Sequence, residues 1–321
     1  MTSTVNPDRV LKELSDLWVS LAKEGESDGG TGVLRACTMT LVMVAEAGDD
    51  WPKLGEILAA LMPEHPARAI SIRLTGPGDR ALSERVYSQC WMPFGQRRQI
   101  CCEQVELTAS DAALLDVPPV VRPLAVPDLP LILWCRSRRL LGMQEFKSVA
   151  SMAQKIIIDS EGMPLKAVGG LAPRGALLGD LAWTRLTRWR ETLSLVFENK
   201  QNLAKIEALK QLTVAHVQSQ TNTAAYLAAW IANALPWVKV SLQHDESCDS
   251  LRVALSGEGL EVRLERRKER LAVSVNGLQQ FTSLSMFTDY SLMREELGIV
   301  QSDPVFERTL ARAVELAYPN E

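Results

Sequence analysis

The chain has 321 residues, of which 46% are hydrophobic and 23% are charged, and its formal net charge is −4. That length suffices for two domains that each bury a core, and the composition is typical of a soluble globular protein. The acidic balance argues against a nucleic-acid-binding protein, and no apolar run approaches the ~18 residues that a membrane helix needs. We therefore expect neither nucleic-acid nor membrane binding.

Cysteine usage and the N-terminal residues bear on the cellular compartment. The six cysteines form neither a disulfide ladder nor a CxxC pair. The first residues, MTSTVNPDRVLKEL, lack a basic segment followed by an apolar core, so we expect no signal peptide. These features predict a cytoplasmic protein with reduced thiols.

The first half of the chain alternates predicted helices and strands. Asn6-Pro7 opens a helix, and a flexible loop over residues 25–32 follows it. The nearly continuous apolar run 38–45 predicts a central strand that is covered on both faces. A helix over 51–61 and a strand over 69–74 complete a strand–helix–strand unit, which favours a parallel pair.

Further strands extend this predicted sheet. Residues 84–91 and 99–107 flank a Pro-Phe-Gly turn signal and predict an antiparallel hairpin. Residues 131–135 and 155–158 predict two more buried strands. Residues 1–165 therefore predict an α/β domain with a mixed sheet.

A glycine- and proline-rich stretch, residues 161–175, predicts the linker, and the longest predicted helix, residues 179–199, follows it. Asp180 suits the N-cap of that helix, because its carboxylate can accept from the free N–H groups of the first turn. One apolar stripe at helical spacing predicts its buried face. The stripe consists of Ala182, Leu186, Trp189, Leu193 and Val196.

The residues around this stripe predict a surface for a protein partner. Tryptophan and arginine are enriched at the centres of interfaces. The predicted partner-binding residues are Trp183, Arg185, Arg188, Trp189 and Arg190. A competing interpretation places both tryptophans in an inter-domain core and pairs the arginines with internal carboxylates.

The predicted strands of the second half have a different sequence pattern, because they alternate apolar and polar residues. Strands are predicted over 238–243, 251–256, 260–266, 271–275 and 278–283. Asn276-Gly277 predicts a tight hairpin turn, and Asp303-Pro304 opens a last helix to about Ala317. Residues 176–321 thus predict an α+β domain with an antiparallel meander and a C-terminal helix, so the fold class is α/β plus α+β.

Motifs that would carry chemistry are weak. The sequence has no GxGxxG, no GxxxxGK[ST] and no HExxH, so we expect no cofactor, no metal site and no catalytic residues. Cys101 and Cys102 are adjacent on a predicted strand and point to opposite faces, so they cannot easily bridge each other. They are either two small apolar strand residues or a pair that includes a redox-sensing thiol.

Several stretches resemble the glucose-6-phosphate dehydrogenase assembly protein family, OpcA. They are RACTMTLV from residue 35, HPARAI from 65, ICCEQVEL from 100, PLAVPDLPLILWCR from 123, IIIDSEG from 156 and GDLAWTRLTRWRE from 179. Similar proteins often read Thr-Pro-Trp-Arg where this chain has residues 187–190. Because Arg188 replaces that proline, we predict that the helix runs straight through.

The resemblance implies a non-enzymatic partner of glucose-6-phosphate dehydrogenase, an enzyme of the oxidative pentose phosphate pathway. Such proteins are associated with assembly and allosteric activation of that oligomeric enzyme. One alternative is a sugar-phosphate-binding enzyme that uses the first domain, with His65, Arg68, Cys102 and Glu103 as its candidate residues. Another is a regulatory binding protein that is switched by thiol oxidation.

Overall fold

A computed structural model describes residues 5–27, 34–35, 37–91 and 100–318, and within them all side chains except those of residues 21–35 and 88–102. The strands are β1 (Leu34–Arg35), β2 (Met39–Glu46), β3 (Ala67–Leu74), β4 (Leu82–Trp91), β5 (Ile100–Ala109), β6 (Leu131–Cys135), β7 (Lys155–Ile158), β8 (Leu177–Asp180), β9 (Leu209–His216), β10 (Lys239–His244), β11 (Leu251–Gly257), β12 (Leu260–Arg267), β13 (Arg270–Val275) and β14 (Leu278–Ser283).

The helices are α1 (Pro7–Ser27), α2 (Trp51–Leu61), α3 (Val117–Leu124), α4 (Arg138–Leu141), α5 (Phe146–Ala150), α6 (Leu165–Val168), α7 (Leu181–Thr184), α8 (Thr187–Glu198), α9 (Lys200–Leu203), α10 (Thr221–Ala234), α11 (Asp289–Leu297) and α12 (Pro304–Ala317). Short 3₁₀ turns cover Asp111–Asp116, Ile206–Ala208 and Gln218–Gln220. Within the described ranges, no helix combines the length and apolarity that crossing a membrane requires.

The chain forms two compact units, and each unit is built from three separate segments of the sequence. Unit 1 consists of Met1–Ile158, Leu171–Gly179 and Asp289–Val300. Unit 2 consists of Asp159–Gly170, Asp180–Thr288 and Gln301–Glu321.

β2 lies in the middle of the unit 1 sheet, as its continuous apolar run predicts. The strand order is β1-β5-β3-β2-β6-β7-β8, and β4 also pairs with β5. Val42 of β2 lies opposite Ile70 of β3 and Leu133 of β6, and both pairings are parallel. β4 and β5 pair antiparallel, so the predicted hairpin is confirmed. The sheet is therefore mixed, which confirms the α/β prediction for this part of the chain.

The unit 2 sheet has the order β10-β9-β11-β12-β13-β14. β11 to β14 form the predicted antiparallel meander. The strand predicted over 238–243 is not part of it, since β10 pairs parallel with β9. The reason is that α10 carries the chain back across the sheet, and such a crossover returns a strand in the parallel direction. The α+β prediction is confirmed, with this one strand placed differently.

The turn between β13 and β14 has the geometry that its sequence predicts. Asn276 has φ 49° and Gly277 has φ 85°, two successive left-handed residues. This is the conformation of a type I′ hairpin turn, which asparagine and glycine tolerate best.

The long helix predicted over 179–199 is interrupted, so that prediction is wrong. α7 ends at Thr184 and α8 begins at Thr187, although residue 188 is arginine and not proline. The N–H of Leu186 donates to the carbonyl of Trp183, three residues back, at 3.0 Å. Such an i−3 bond tightens the turn and breaks the i−4 ladder. Asp180 is the N-cap as predicted, and its carboxylate accepts from the N–H of Ala182.

α11 belongs to unit 1 and is held there by a buried ion pair. Lys155 Nζ lies 2.7 Å from Glu296 Oε1, and both side chains are buried. The same ammonium donates to the carbonyl oxygens of Glu296 and Ile299. Gly179 lies directly against this pair, because a Cβ at that position would be 2.2 Å from Glu296 Oε1.

Candidate functional site

The strand order of unit 1 creates a crevice between β2 and β6. From β2 the chain passes through α2 to β3 and then β5 on one side, whereas β6 and β7 lie on the other side. Dinucleotide-binding sheets have this order, and ligands bind at the switch point, outside the carboxyl ends of the strands. A ligand of this sheet would therefore bind at the end of β2 and the start of α2.

Carboxylates fill the turn between β2 and α2. Asp49 Oδ2 accepts from the N–H of Glu46 at 2.8 Å, and Asp50 caps the first turn of α2. The Glu46 carboxylate accepts from Ser137 Oγ and from the guanidinium of Arg139. A helix N-terminus attracts anions, but here the carboxylate of Asp50 already accepts from the N–H of Lys53 in the first turn of α2, and the carboxylates of Glu46 and Asp49 add negative charge nearby. This turn is unsuited to a phosphate.

Among the residues named for a sugar-phosphate-binding enzyme, the described side chains make their hydrogen bonds and ion pairs within the fold. Arg68 and Glu103 form a buried ion pair, and Arg68 Nη1 also donates to the carbonyl of Leu124 at 2.6 Å. A ring nitrogen of His65 lies 3.0 Å from the carbonyl oxygen of Arg294. The side chain of Cys102 lies outside the described part of the structure. The described contacts are internal to the fold and do not favour the enzyme alternative.

In unit 2, both tryptophans predicted to bind a partner are buried. Trp183 is 3% exposed and Trp189 is 2% exposed. The ring of Trp183 packs against Tyr226 and Phe306, with centroids 6.4 and 5.8 Å away. Its indole N–H donates to Asp303 Oδ2 at 3.0 Å. Trp183 thereby fastens α7 to the start of α12.

The three predicted arginines differ in their surroundings. Arg185 makes two hydrogen bonds to the carboxylate of Asp159, at 2.9 and 2.6 Å. Arg190 lies over the Trp183 ring, with its guanidinium carbon 3.6 Å from the centroid. Arg188 is exposed over 68% of its side chain and pairs with Glu191 one turn along α8. Of the five residues, Arg188 is the one that α8 presents to solvent.

Asp180 lies at the centre of a buried polar cluster in unit 2. Its Oδ1 accepts from the N–H groups of Ser160 and Ala182, and its Oδ2 accepts from the hydroxyl of Tyr226 at 2.7 Å. Burial raises the pKa of Asp180 to about 6, although these hydrogen bonds oppose the shift. Tyr226 has its pKa raised as well, first by burial and then by the negative charge of Asp180.

Glu161 completes the cluster by capping α10 from outside that helix. Its carboxylate accepts from the N–H groups of Asn222 and Thr223, at 3.2 and 2.7 Å, and from Thr223 Oγ1 at 2.5 Å. The amide of Asn222 donates in turn to the carbonyl of Ser160 at 2.6 Å. We call residues 159–161 (Asp-Ser-Glu), with Asp180, Arg185, Asn222, Thr223 and Tyr226, the clasp.

Most of the clasp is not predicted from the sequence. The sequence predicts Glu161 at the start of a linker and assigns no role to Asp159, Ser160 or Tyr226. The available signal was an Asp-Ser-Glu run directly after a buried strand, with no helix of its own to cap. Two of the stretches that carry the family resemblance, IIIDSEG and GDLAWTRLTRWRE, supply the two sides of the clasp.

The two cysteines predicted as redox thiols lie next to each other on β5, where Cys101 faces Cys90 of β4 across the ladder and Cys102 faces Gln89. Their side chains lie outside the described residues. Burial raises the pKa of the Cys135 thiol to about 12, and it also raises that of Cys248. Those two thiols are therefore poor nucleophiles, since reactivity requires the thiolate.

Fold and site together define a two-unit α/β and α+β protein whose sheet has a nucleotide-type strand order but a carboxylate-filled ligand turn. Two family models match it: the glucose-6-phosphate dehydrogenase subunit N-terminal domain over residues 59–171, and the C-terminal domain of that subunit over residues 176–310. The chain belongs to the OpcA family.

Relatives with the same family name are distant in sequence. The OxPP cycle protein OpcA of Nostoc punctiforme is 24% identical over 225 residues, which are 68% of this chain and 46% of the relative. That of Synechococcus elongatus is 26% identical over 196 residues, which are 58% of this chain and 44% of the relative. The chain thus spans less than half the length of these two relatives.

One solved structure supports the fold alone. A super-repressor mutant of Gal80p from Saccharomyces cerevisiae aligns with a TM-score of 0.50 at 7% identity. The alignment covers 87% of this chain and 95% of that one. The likeness extends over both units, and at this identity it says nothing about ligands.

Proposed function

We propose that the protein is a non-enzymatic partner of glucose-6-phosphate dehydrogenase that favours the assembled, active state of that enzyme. The observation that carries this proposal is the match of both parts of the chain to domains described as belonging to a subunit of that dehydrogenase. The acidic turn after β2 supports a role without catalysis, because it opposes phosphate binding at the switch point. Its place of action would be the cytoplasm, in the oxidative pentose phosphate pathway.

Activation requires that the protein bind the active enzyme more tightly than the inactive one. Equal affinity for both states would shift no equilibrium. A coupling of ~1–3 kcal/mol, equivalent to roughly 5–150-fold, is typical of allosteric pairs. The same factor must appear as tighter binding of this protein when the enzyme is held active.

The proposal is tested by mixing the purified protein with the dehydrogenase of the same organism. We expect co-elution in size-exclusion chromatography and a higher initial rate at limiting glucose 6-phosphate. A dehydrogenase that neither captures the protein nor changes rate would overturn the proposal. Turnover of glucose 6-phosphate with NADP⁺ by the isolated chain would establish the enzyme alternative instead.

We further propose that the contact with the dehydrogenase includes the solvent-facing side of α8, through Arg188. Replacing Arg188 with alanine removes an exposed guanidinium without opening the core, because its described ion pair is with Glu191 on the same helix. We expect the affinity for the dehydrogenase to fall at least fivefold, the ~1 kcal/mol expected of an interface arginine. Titration calorimetry measures this loss.

Arg312→Ala is the matched control, because Arg312 forms the same kind of i,i+3 ion pair with Glu315 on α12. It should leave the affinity unchanged. Arg185→Ala is a poor probe, because it would remove the ion-pair partner of Asp159 in the clasp. Equal affinities of the Arg188→Ala variant and the wild type would exclude Arg188 from the contact.

A further inference from the structure

β14 is an unprotected edge of the unit 2 sheet. It is the last strand in the order, and β13 is its single strand neighbour within the described part of the chain. Its sequence, LQQFTS, contains no charged residue and no proline. All six residues are exposed, and Leu278 and Phe281 are exposed over 81% and 52% of their surfaces.

Other edge strands of the protein carry features that oppose pairing. β10, at the opposite edge of the same sheet, presents Lys239 and His244. β4 of unit 1 carries Glu84 and Arg85, and Arg9 of α1 forms an ion pair with Glu84. Charges and covering helices are the usual means by which an edge avoids another strand. β14 has neither within the described residues, so its edge is suited to pairing.

A groove beside β14 extends this surface. It lies between α8–α9 and the β13–β14 hairpin and has a volume of about 500 Å³. Its apolar lining is formed by Leu195, Val196, Val273, Val275, Leu278 and Phe281, and Leu195 is 60% exposed. Asparagine, glutamine and threonine make up the rest of the lining, and none of the described lining residues is charged. The occupant of this surface must be extended, uncharged and partly apolar.

We propose that the occupant is β14 of a second copy of this chain. β14 has the composition that its own edge requires, since it is extended, uncharged and carries Leu278 and Phe281. A two-fold axis perpendicular to the sheet pairs the two strands antiparallel and keeps both α8 grooves on one side. Every cross-strand pair is then neutral, so no like charges meet. The interface uses the same patch on both copies, as in most homodimers.

The two-fold axis limits the register. A two-fold axis places one residue of β14 directly opposite its own copy, and the six-residue strands overlap most when that residue is Gln280 or Phe281. Centred on Phe281, the two rings face each other; centred on Gln280, Leu278 lies opposite Thr282 of the partner strand. In both registers the two six-stranded sheets join into one continuous sheet.

Sedimentation velocity of the isolated wild-type chain over ~1–100 µM tests the proposal, a range that brackets a micromolar dimer. We expect a species of twice 35.5 kDa at the upper end and its dissociation on dilution. The double variant Gln280→Lys, Phe281→Lys places like charges directly opposite each other in either register. It should raise the dissociation constant at least tenfold, as repulsion across a strand pair predicts.

The matched control is the double variant Ser241→Lys, Gln243→Lys in β10. It adds the same charge at the opposite edge of the sheet. It should dimerise like the wild type. Hydrogen exchange provides a measurement without substitution: the amides of 278–283 should be protected at high concentration and exchange faster on dilution. This second readout decides the question even if the double variant does not fold.

A wild-type chain that stays monomeric at ~100 µM overturns the proposal. So does a double-lysine variant that folds and still dimerises. If a monomeric wild-type chain protects residues 278–283 only when the dehydrogenase is added, the edge binds a strand of that enzyme and not a second copy. All of these experiments except the last use the isolated chain, so failure of the dimer leaves the proposed function standing.

Discussion

Asp180 shows how one buried carboxylate couples local and long-range structure. Its capping of α7 is predictable from sequence, because a cap and its N–H group lie two residues apart. Its bonds to Ser160 and Tyr226 are not predictable, since they join residues 20 and 46 positions away. The same holds for Arg185, whose partner Asp159 precedes it by 26 positions.

The raised pKa of Asp180 predicts a pH dependence of stability. An aspartate in the unfolded chain titrates near ~3.9. With a folded pKa of about 6, the folded state holds its proton more tightly. Protonated Asp180 therefore adds up to about 3 kcal/mol to the free energy of unfolding. This stabilisation is fully present below the unfolded pKa and is lost as the pH rises through the folded pKa. Asp180→Asn should remove most of the pH dependence of the free energy of unfolding between about pH 4 and 6. Urea titrations at a series of pH values measure this.

Tyr226→Phe should shift the pH range in which this stability is lost to higher pH. The tyrosine hydroxyl stabilises the ionised carboxylate of Asp180 and lowers its pKa. Removing that hydroxyl raises the pKa of Asp180 further, so the pH-dependent loss of stability should extend above pH 6. Should the Asp180→Asn variant keep the wild-type slope, ionisation of Asp180 is not its source.

At the scale of elements, local signals in the sequence predict most strands and turns. The Asn276-Gly277 turn, the β4–β5 hairpin and the continuous apolar run of β2 all depend on neighbouring residues. The break between α7 and α8 depends instead on a tightened turn at Leu186, and the parallel direction of β10 depends on α10. The direction of β10 follows from the strand–helix–strand order of β9, α10 and β10, which favours a parallel pair as it does in the first half of the chain. Propensity and periodicity contain no information about the tightened turn at Leu186.

Gly179 illustrates a requirement that only the packed element reveals. An alanine there would push its Cβ into the Glu296 carboxylate, which is already fixed by Lys155. Displacing Glu296 leaves a buried lysine without its charge partner, which typically costs about 3–5 kcal/mol. We expect Gly179→Ala to lower the free energy of unfolding by that amount, measured by denaturant titration.

Gly55→Ala is the control for that substitution. Gly55 lies inside α2, and a Cβ there would meet no atom within 4 Å. Alanine favours a helix over glycine by ~0.5–1 kcal/mol, so this variant should be neutral or more stable. Equal stability of the two variants would show that the Lys155–Glu296 pair tolerates displacement.

For the whole molecule, the sequence predicts the fold class and the family resemblance but not the threading of the chain. Alternation of strands and helices in the first half, and of apolar and polar residues in the second, is enough for the class. That residues 289–300 belong to unit 1 depends on the packing of α11 against α2 and on the Lys155–Glu296 pair. Those contacts join positions more than a hundred residues apart.

This threading predicts how fragments behave. A fragment of residues 1–158 lacks α11, so Lys155 loses its buried partner and the face of α2 that α11 covers is open. We expect it to bind a hydrophobic dye and to melt without cooperativity, because a buried ammonium without a counter-charge is costly. A fragment of residues 1–300 contains all of unit 1 and should restore a cooperative transition in calorimetry. A sharp, native-like transition of the shorter fragment would contradict this.

The late arrival of α11 also bears on how the protein is made in the cell. A ribosome releases residues in order from the N-terminus, and domains generally fold as they emerge. Here the nascent chain must deliver the whole meander of unit 2 before α11 can reach Lys155. Until translation has passed residue 300, Lys155 lacks its partner Glu296. Chaperones would engage the growing polypeptide during that interval.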